Sequence, residues 1–197
     1  MSRFKDQAIC IRHIDWSETS QVVVLLTQQH GKVRGLAKGS KRTSPSAVAR
    51  FSGGIELLTL GQIVAVVKRT AELATLTEWD LQNDHHHLRR DLGAQRLALY
   101  AGDLVNAMLE EHDPHPKTFA ALAELLVALK DSPWRQEALL RFQWAVLEDC
   151  GYRPQLWRDV VTDKPLSEKS AYRFDAQAGG LTEAEGVEGV EQWRVRR

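Results

Sequence analysis

Cysteine is scarce: Cys10 and Cys150 are the only two in 197 residues. Two thiols are too few for a disulfide framework or a thiolate zinc site, and each is expected to behave as a small buried apolar residue. Long apolar runs are missing too. The stretch VVVLL at Val22–Leu26 falls far short of the roughly eighteen residues a spanning helix needs, so no membrane segment is expected. The opening MSRFKDQAICIRH carries charge throughout and has no apolar core before a small-residue cleavage site. It does not read as a secretory signal, and a cytoplasmic location is expected. A third absence is local: between Thr19 and Ile55 there is no Asp or Glu.

Inside that gap lies GKVRGLAKGSKRTSPSAVAR, residues 31–50, with six Lys or Arg. The formal net charge of the chain is zero, but residues 1–71 hold 11 basic against 4 acidic side chains and residues 72–197 hold 15 against 22. Neutrality is thus a cancellation of +7 by −7. A charge run is often only a solvated loop. Here the basic groups have no acidic sequence neighbours, which points to a polyanionic partner. Apolar residues at 43% and charged ones at 26% fit an ordinary globular chain.

The hydrophobic pattern changes near Trp79. Before it, QAICIRH alternates, with Ile9, Ile11 and His13 on one side, SQVVVLLTQQ is β-branched and apolar, and GKVRGLAKG follows a break at His30-Gly31. GIELLTLGQIVAVVKR gives one long strand or two short ones interrupted by a bulge or corner at Gly61, and LATLTEW supplies the last strand. Five strands with glycines at the bends predict a small barrel of the OB type, although a β-sandwich or SH3-like barrel satisfies the same strand count. Beyond Trp79 the period becomes helical. Leu92, Leu99, Leu104, Val105 and Met108 mark one helix, and Phe119, Leu122, Leu125, Leu126 and Leu129 mark a second. Leu139, Phe142 and Val146 mark a third, starting after Ser132-Pro133 and ending at Gly151. After Tyr152 the sequence is irregular, and LTEAEGVEGVEQW gives little sign of a packed element. The expected class is α+β with more than one domain: a five-stranded OB-type β-barrel over residues 1–80, then an α-helical domain over 81–197 with an irregular C-terminal segment.

Arg12, Glu18-Thr19-Ser20, Thr27, Gly31, Ala37-Lys38-Gly39 and Lys41-Arg42 resemble the start of the RecO family of bacterial recombination mediators and DNA repair proteins. LEDCGYRPQL at Leu147–Leu156 and YRFDAQAGGL at Tyr172–Leu181 resemble later parts of the same family, so the resemblance covers nearly the whole chain. It implies a protein without covalent chemistry or cofactor, which binds single- and double-stranded DNA and anneals complementary strands. It further implies action with RecR in loading RecA onto strands covered by SSB, and capture of the acidic, apolar C-terminal tail of SSB on the helical domain. Arg135 and Arg141 are candidate cations for that tail, and spacing does not select them over Arg89, Arg90 or Arg96. Many members carry four zinc-site cysteines, two soon after the PQL segment and two after the Gly-Gly. Here Asp159, Thr162, Thr182 and Glu185 stand near those places. Zinc is not expected, because structural zinc wants thiolate or imidazole. The chain also ends sooner after the Gly-Gly than members commonly do.

Lys32, Arg34 and Lys38 lie at even separations, which places them on one face of a strand. Lys41, Arg42 and Arg50 extend this stripe into a loop of Gly, Ser and Pro, and Lys68 and Arg69 are placed at its far side. Such a stripe would track phosphates without reading bases. OB barrels add aromatic platforms for stacked bases. Trp16 and Phe51 are the candidates, with core packing the commoner fate of such rings.

A different class would be a histidine-based metalloenzyme. His85-His86-His87 is the best support for it, yet consecutive residues on a helix point about 100° apart and do not converge on one ion. They are assigned to the polar connection between domains. His112 and His115 flank Pro114 without an HExxH pattern, Ser17 lacks a GxSxG elbow, and no GxxxxGK phosphate loop occurs. A generic RNA- or single-strand-binding barrel is the other alternative.

Overall fold

The computed structural model describes residues 2–68, 71–183 and 192–196. Five strands form the N-terminal part: β1 (Ser2–Ser17), β2 (Ser20–Thr27), β3 (Gly31–Ala37), β4 (Leu60–Val67) and β5 (Ala74–Asn83). They close into a barrel in the order β1-β2-β3-β5-β4, with β1 also pairing β4. All neighbours are antiparallel except β3 and β5, which run parallel. That arrangement belongs to the OB architecture, and the whole chain is α+β.

Ala8, Cys10, Val23, Leu25, Ala37, Ile63, Ala65, Leu76 and Trp79 fill the barrel. Strict alternation holds only as far as Cys10. A register shift between Cys10 and Arg12 leaves Ile11 unpaired, so His13 comes opposite Val23 of the inner row, while Arg12 and Ile14 join Val24 and Val22 outside. Ile9, Ile11 and His13 therefore do not share a face, because a bulge inserts one residue and reverses the sides beyond it. Further shifts fall at Asp15/Ser17 in β1 and at Leu60/Gly61 and Val64/Ala65 in β4. A Cβ on Gly61 would stand 2.6 Å from the Trp79 ring and from the Asp80 carbonyl, which is why the strand tolerates glycine there. Residues 55–59 lie outside β4, so where one long strand or two short ones are expected only the second half is strand.

The Gly-Ser-Pro segment after β3 hides a helix, α1 (Pro45–Phe51), that was expected as loop. Ser44 stands at its N-cap, Pro45 opens it, and Ala47 and Phe51, four residues apart, are buried. Phe51 joins the barrel core.

Between β5 and the helices, the three histidines occupy a 3-10 turn, His86–Arg89, and its N-cap His85. Each makes a different contact. His85 Nδ1 meets the Leu58 carbonyl at 2.7 Å, His87 Nε2 meets the Leu126 carbonyl at 2.8 Å, and His86 lies 3.5 Å from Asp84. They tether the connection to the barrel on one side and to a helix on the other. Helix α2 (Leu92–Met108), capped by the Asp91 side chain, turns Ala94, Ala98, Ala101, Gly102 and Val105 inward. Of the apolar residues that mark this helix in the sequence, Val105 is buried and Leu92 and Leu99 are exposed. The small-residue face allows close approach: a Cβ on Gly102 would lie 3.6 Å from the Ile11 carbonyl and from Leu58. Helix α3 (Pro116–Ala128) buries Phe119, Leu122, Leu125 and Leu126, and Leu129 at its C-cap is buried too. Helix α4 (Arg135–Asp149) buries Phe142 and Val146, while Leu139 is half-buried.

The chain divides into compact units Met1–Val146 and Leu147–Arg197. The second contains an antiparallel sheet in the order β7-β6-β8, made of β6 (Ala171–Asp175), β7 (Gly180–Thr182) and β8 (Gln192–Arg196). Two of its strands, β7 and β8, draw residues from the stretch that gave little sign of a packed element in sequence. Among the described residues no helix is long and apolar enough to cross a membrane.

Candidate nucleic-acid interface

The basic run starts in β3 and continues into the turn that follows. Lys32, Arg34 and Leu36 alternate with the inward-facing Val33 and Ala37, so Lys32 and Arg34 do share the outer face. The chain after α2 covers part of that face. Lys32 is only 8% exposed, and its ammonium donates to the Asn106 carbonyl at 2.6 Å in the last turn of α2. There it answers the negative end of the helix. Its backbone also takes part, with the His112 N–H donating to the Lys32 carbonyl. Lys32 thus drops out of the expected stripe, because its charge is used inside the protein. Arg34 stays half-exposed, with its guanidinium 3.7 Å from Glu111, a separation worth little in water.

Past Ala37 the cations are differently placed. Lys38, Arg42 and Arg50 line one cleft of about 260 Å³ with Gly39, Thr75 and Thr77. All three cations are exposed, and among the described residues none pairs with a carboxylate. Gly39 adopts φ +73°, a left-handed turn that costs glycine nothing. A Cβ there would lie 3.4 Å from Arg42 Cδ, so the Arg42 stem lies close over the bare glycine. Arg50 comes from the last turn of α1, with its guanidinium 5.4 Å from the centre of the Phe51 ring. Phe51 itself is 1% exposed in the barrel core. It has no free face for a base, so Phe51 packs in the core and does not stack bases.

The loop carrying Lys38 to Arg42 is held by Thr19, Ser20 and Gln21, at and just before the start of β2. Buried Gln21 is the hub: its Oε1 accepts from Ser40 Oγ at 2.9 Å and from the Ile55 N–H at 3.1 Å, and its Nε2 donates to the Ile55 carbonyl at 3.2 Å. Gly39 N–H donates to Ser20 Oγ and Lys41 N–H to the Thr19 carbonyl. Lys41 Nζ donates to Asp15 at 2.7 Å, a bond that holds the Asp15 carboxyl below its usual range. Lys41 is therefore partnered. Asp15 precedes Trp16, which sits in the second bulge of β1 and is 69% exposed. The Lys41–Asp15 pair joins the basic loop to the strand end that carries Trp16. No sequence signal marks Gln21 as a positioning residue, since a polar residue opening a strand usually reads as surface.

Arg12, turned outward by the Ile11 bulge, lines a second cleft of about 420 Å³ with Ile14, Val22, Val24, Arg34 and Glu111. Lys68 is exposed just past β4 and does not line the Lys38 cleft. Arg69 lies outside the described residues. Cys10 is buried in the barrel, and burial pushes its thiol up to about 12, so it is inert as a nucleophile at neutral pH.

A closed five-stranded barrel of OB order, followed by helices and carrying a cleft lined by three exposed cations, places the chain in the class of OB-barrel proteins with an appended helical region. Sequence comparison narrows the class. The N-terminal model of recombination protein O matches residues 1–84 and its C-terminal model matches 89–196. The chain belongs to the RecO family. It is 32% identical over 190 residues to the DNA repair protein RecO of Anaeromyxobacter sp. (strain K), covering 96% of this chain and 73% of the relative. It is 29% identical over 196 residues to that of Myxococcus xanthus (strain DK1622), covering 99% and 78%. The Salinibacter ruber protein of the same name is 35% identical over 158 residues, covering 80% and 59%.

Proposed function

We propose that this chain works in DNA repair as a recombination mediator without enzymatic activity. It binds and anneals single-stranded DNA, and together with RecR it helps load RecA onto SSB-coated strands. The observation that carries this reading is the cleft of Lys38, Arg42 and Arg50, three exposed cations on one side of an OB barrel that pair with no carboxylate among the described residues. Phosphates are the natural counter-charge, and each one bound releases condensed counterions. Two strands that repel one another approach more easily over such a surface. Lys41, Arg34, Arg12 and Lys68 add weaker, partly paired charge around it, and Trp16 offers a ring for stacking.

For the SSB tail, the helices favour one cation over the other. Arg135 is committed, with Nε on the Leu129 carbonyl and a 2.8 Å bond to Asp91. Arg141 instead lines a largely apolar cleft of about 440 Å³ between α3 and α4, with Leu125, Trp134, Phe142 and Ala145 and with the carboxylates Glu124 and Glu137 at its side. An apolar hollow with a cation at its side suits an acidic, apolar peptide end. Glu137, 2.6 Å from Arg141, would have to release it.

Annealing of complementary DNA strands, bare or precoated with SSB, tests both parts. Replacing Lys38, Arg42 and Arg50 together by Ala should slow annealing on both substrates by at least tenfold at low salt, and Arg141→Ala should slow it only on coated strands. Unchanged annealing by the triple variant, or a strong preference for RNA, would refute the DNA assignment. Equal loss on both substrates for Arg141→Ala would refute the tail site alone.

A further inference from the structure

The resemblance to members with a four-cysteine zinc site directs attention to Asp159, Thr162 and Thr182; Glu185 lies outside the described residues. Asp159 is 4% exposed. Its Oδ1 accepts from the Val161 N–H at 2.9 Å and the Thr162 N–H at 2.7 Å. Its Oδ2 accepts from Thr182 Oγ1 at 3.0 Å and the Glu183 N–H at 2.6 Å. An ionised carboxylate offers about four lone-pair positions, and here four donors meet them. A metal ion would need the same lone pairs and would face N–H and O–H hydrogens. The residues therefore do not fit zinc, which asks for thiolate or imidazole in a tetrahedron.

The same hydrogen bonds bring together the parts of the chain that a metal knuckle would join. On one side the turn closes on itself, with Asp159 N–H donating to the Lys164 carbonyl and Asp163 N–H to the Asp159 carbonyl, both at 2.8 Å. On the other, Gln155 N–H donates to the Gly179 carbonyl, Leu181 N–H donates to the Gln155 carbonyl, and Val160 N–H donates to the Leu181 carbonyl. Glu183 carries the linkage further: its Oε1 accepts from both the N–H and the hydroxyl of Ser167, and its Oε2 meets Lys169 at 2.8 Å. We propose that Asp159, extended through Glu183 to Ser167 and Lys169, is a metal-free clasp that joins these loops by hydrogen bonds where other members use zinc. The donors around Asp159 hold its carboxyl well below the usual range, in keeping with a permanently ionised acceptor.

Hydrogen exchange of the full chain, read by mass spectrometry with and without EDTA, tests the clasp, alongside metal analysis of the purified protein. Exchange at Val161, Thr162 and Glu183 should be slow and indifferent to EDTA, with no stoichiometric zinc. Bonds to a charged acceptor are strong enough that Asp159→Ala should speed exchange there at least tenfold, leaving the amides of β1 to β5 unchanged. Thr182→Val, which removes a single donor, should speed the Glu183 amide alone, and it keeps the test decisive if Asp159→Ala does not fold. Stoichiometric zinc whose removal loosens these loops would overturn the proposal. So would native exchange rates in both variants.

Discussion

Lys32 and Lys38 lie six residues apart in one basic run and meet opposite fates. Lys32 ends against a helix carbonyl, and Lys38 opens to solvent in a cleft it shares with Arg42 and Arg50. The sequence showed the sign and density of charge, because these are properties of composition. It did not show which cations are covered, because Asn106 and Glu111 lie more than seventy residues away and reach β3 only after the helices pack. Phe51 was misleading for a related reason: a ring beside Arg50 resembles a stacking platform until a short helix turns it into the core. His85 supports a prediction at this scale. It is 2% exposed, and burial lowers its pKa below the usual histidine value, with the bond to the Leu58 carbonyl opposing that in part. Below about pH 6.5 the unfolded chain takes up a proton there that the native protein resists. Stability should fall as pH drops from 6.5 toward the lowered native value and be insensitive to this group above 6.5. Thermal unfolding between pH 5 and 8 should show this slope, and His85→Gln should flatten it. An equal slope in both proteins would exclude His85 as its source.

At the scale of elements, legibility followed the regularity of the pattern. Helix α3 was readable in full, because its apolar residues repeat at three and four and its buried face is that same stripe. Helix α2 was readable as a helix, but not its buried face. Val105 of its apolar residues packs inward, and the rest of that face is Ala94, Ala98, Ala101 and Gly102, whose small size lets the helix approach β1. Helix α1 spans only seven residues, too short for a period to declare itself, although Ser44-Pro45 is a genuine start signal. Bulges at Ile11 and Trp16 leave no trace in the alternation before them. The α2 face makes a further prediction. A Cβ on Gly102 would meet its neighbours at 3.6 Å, ordinary van der Waals distance, so Gly102→Ala should fit and should stabilise the helical state by about 0.5–1 kcal/mol. Gly102→Leu, too large for that space, should destabilise by about 1–3 kcal/mol. Denaturant unfolding checks both, and a destabilising alanine would mean that barrel and helix approach too closely to admit even a methyl group.

For the whole molecule, the decisive fact is how charge is distributed. An excess of seven basic groups before residue 72 is offset by an equal acidic excess after it. Within the barrel unit, internal pairing trims the basic set: Lys32 and Lys41 are engaged, Arg34 is near Glu111, and Arg3 is near Glu78. Of the basic groups left over, Lys38, Arg42 and Arg50 are gathered in one cleft. The most direct measurement is the salt dependence of single-stranded DNA binding. The logarithm of affinity should fall linearly with the logarithm of salt concentration, and the Lys38, Arg42, Arg50 triple alanine variant should flatten that slope by about 2, near 0.7 for each phosphate no longer neutralised. A slope unchanged by those three substitutions, or binding insensitive to salt in the native protein, would contradict a phosphate-binding cleft on this barrel.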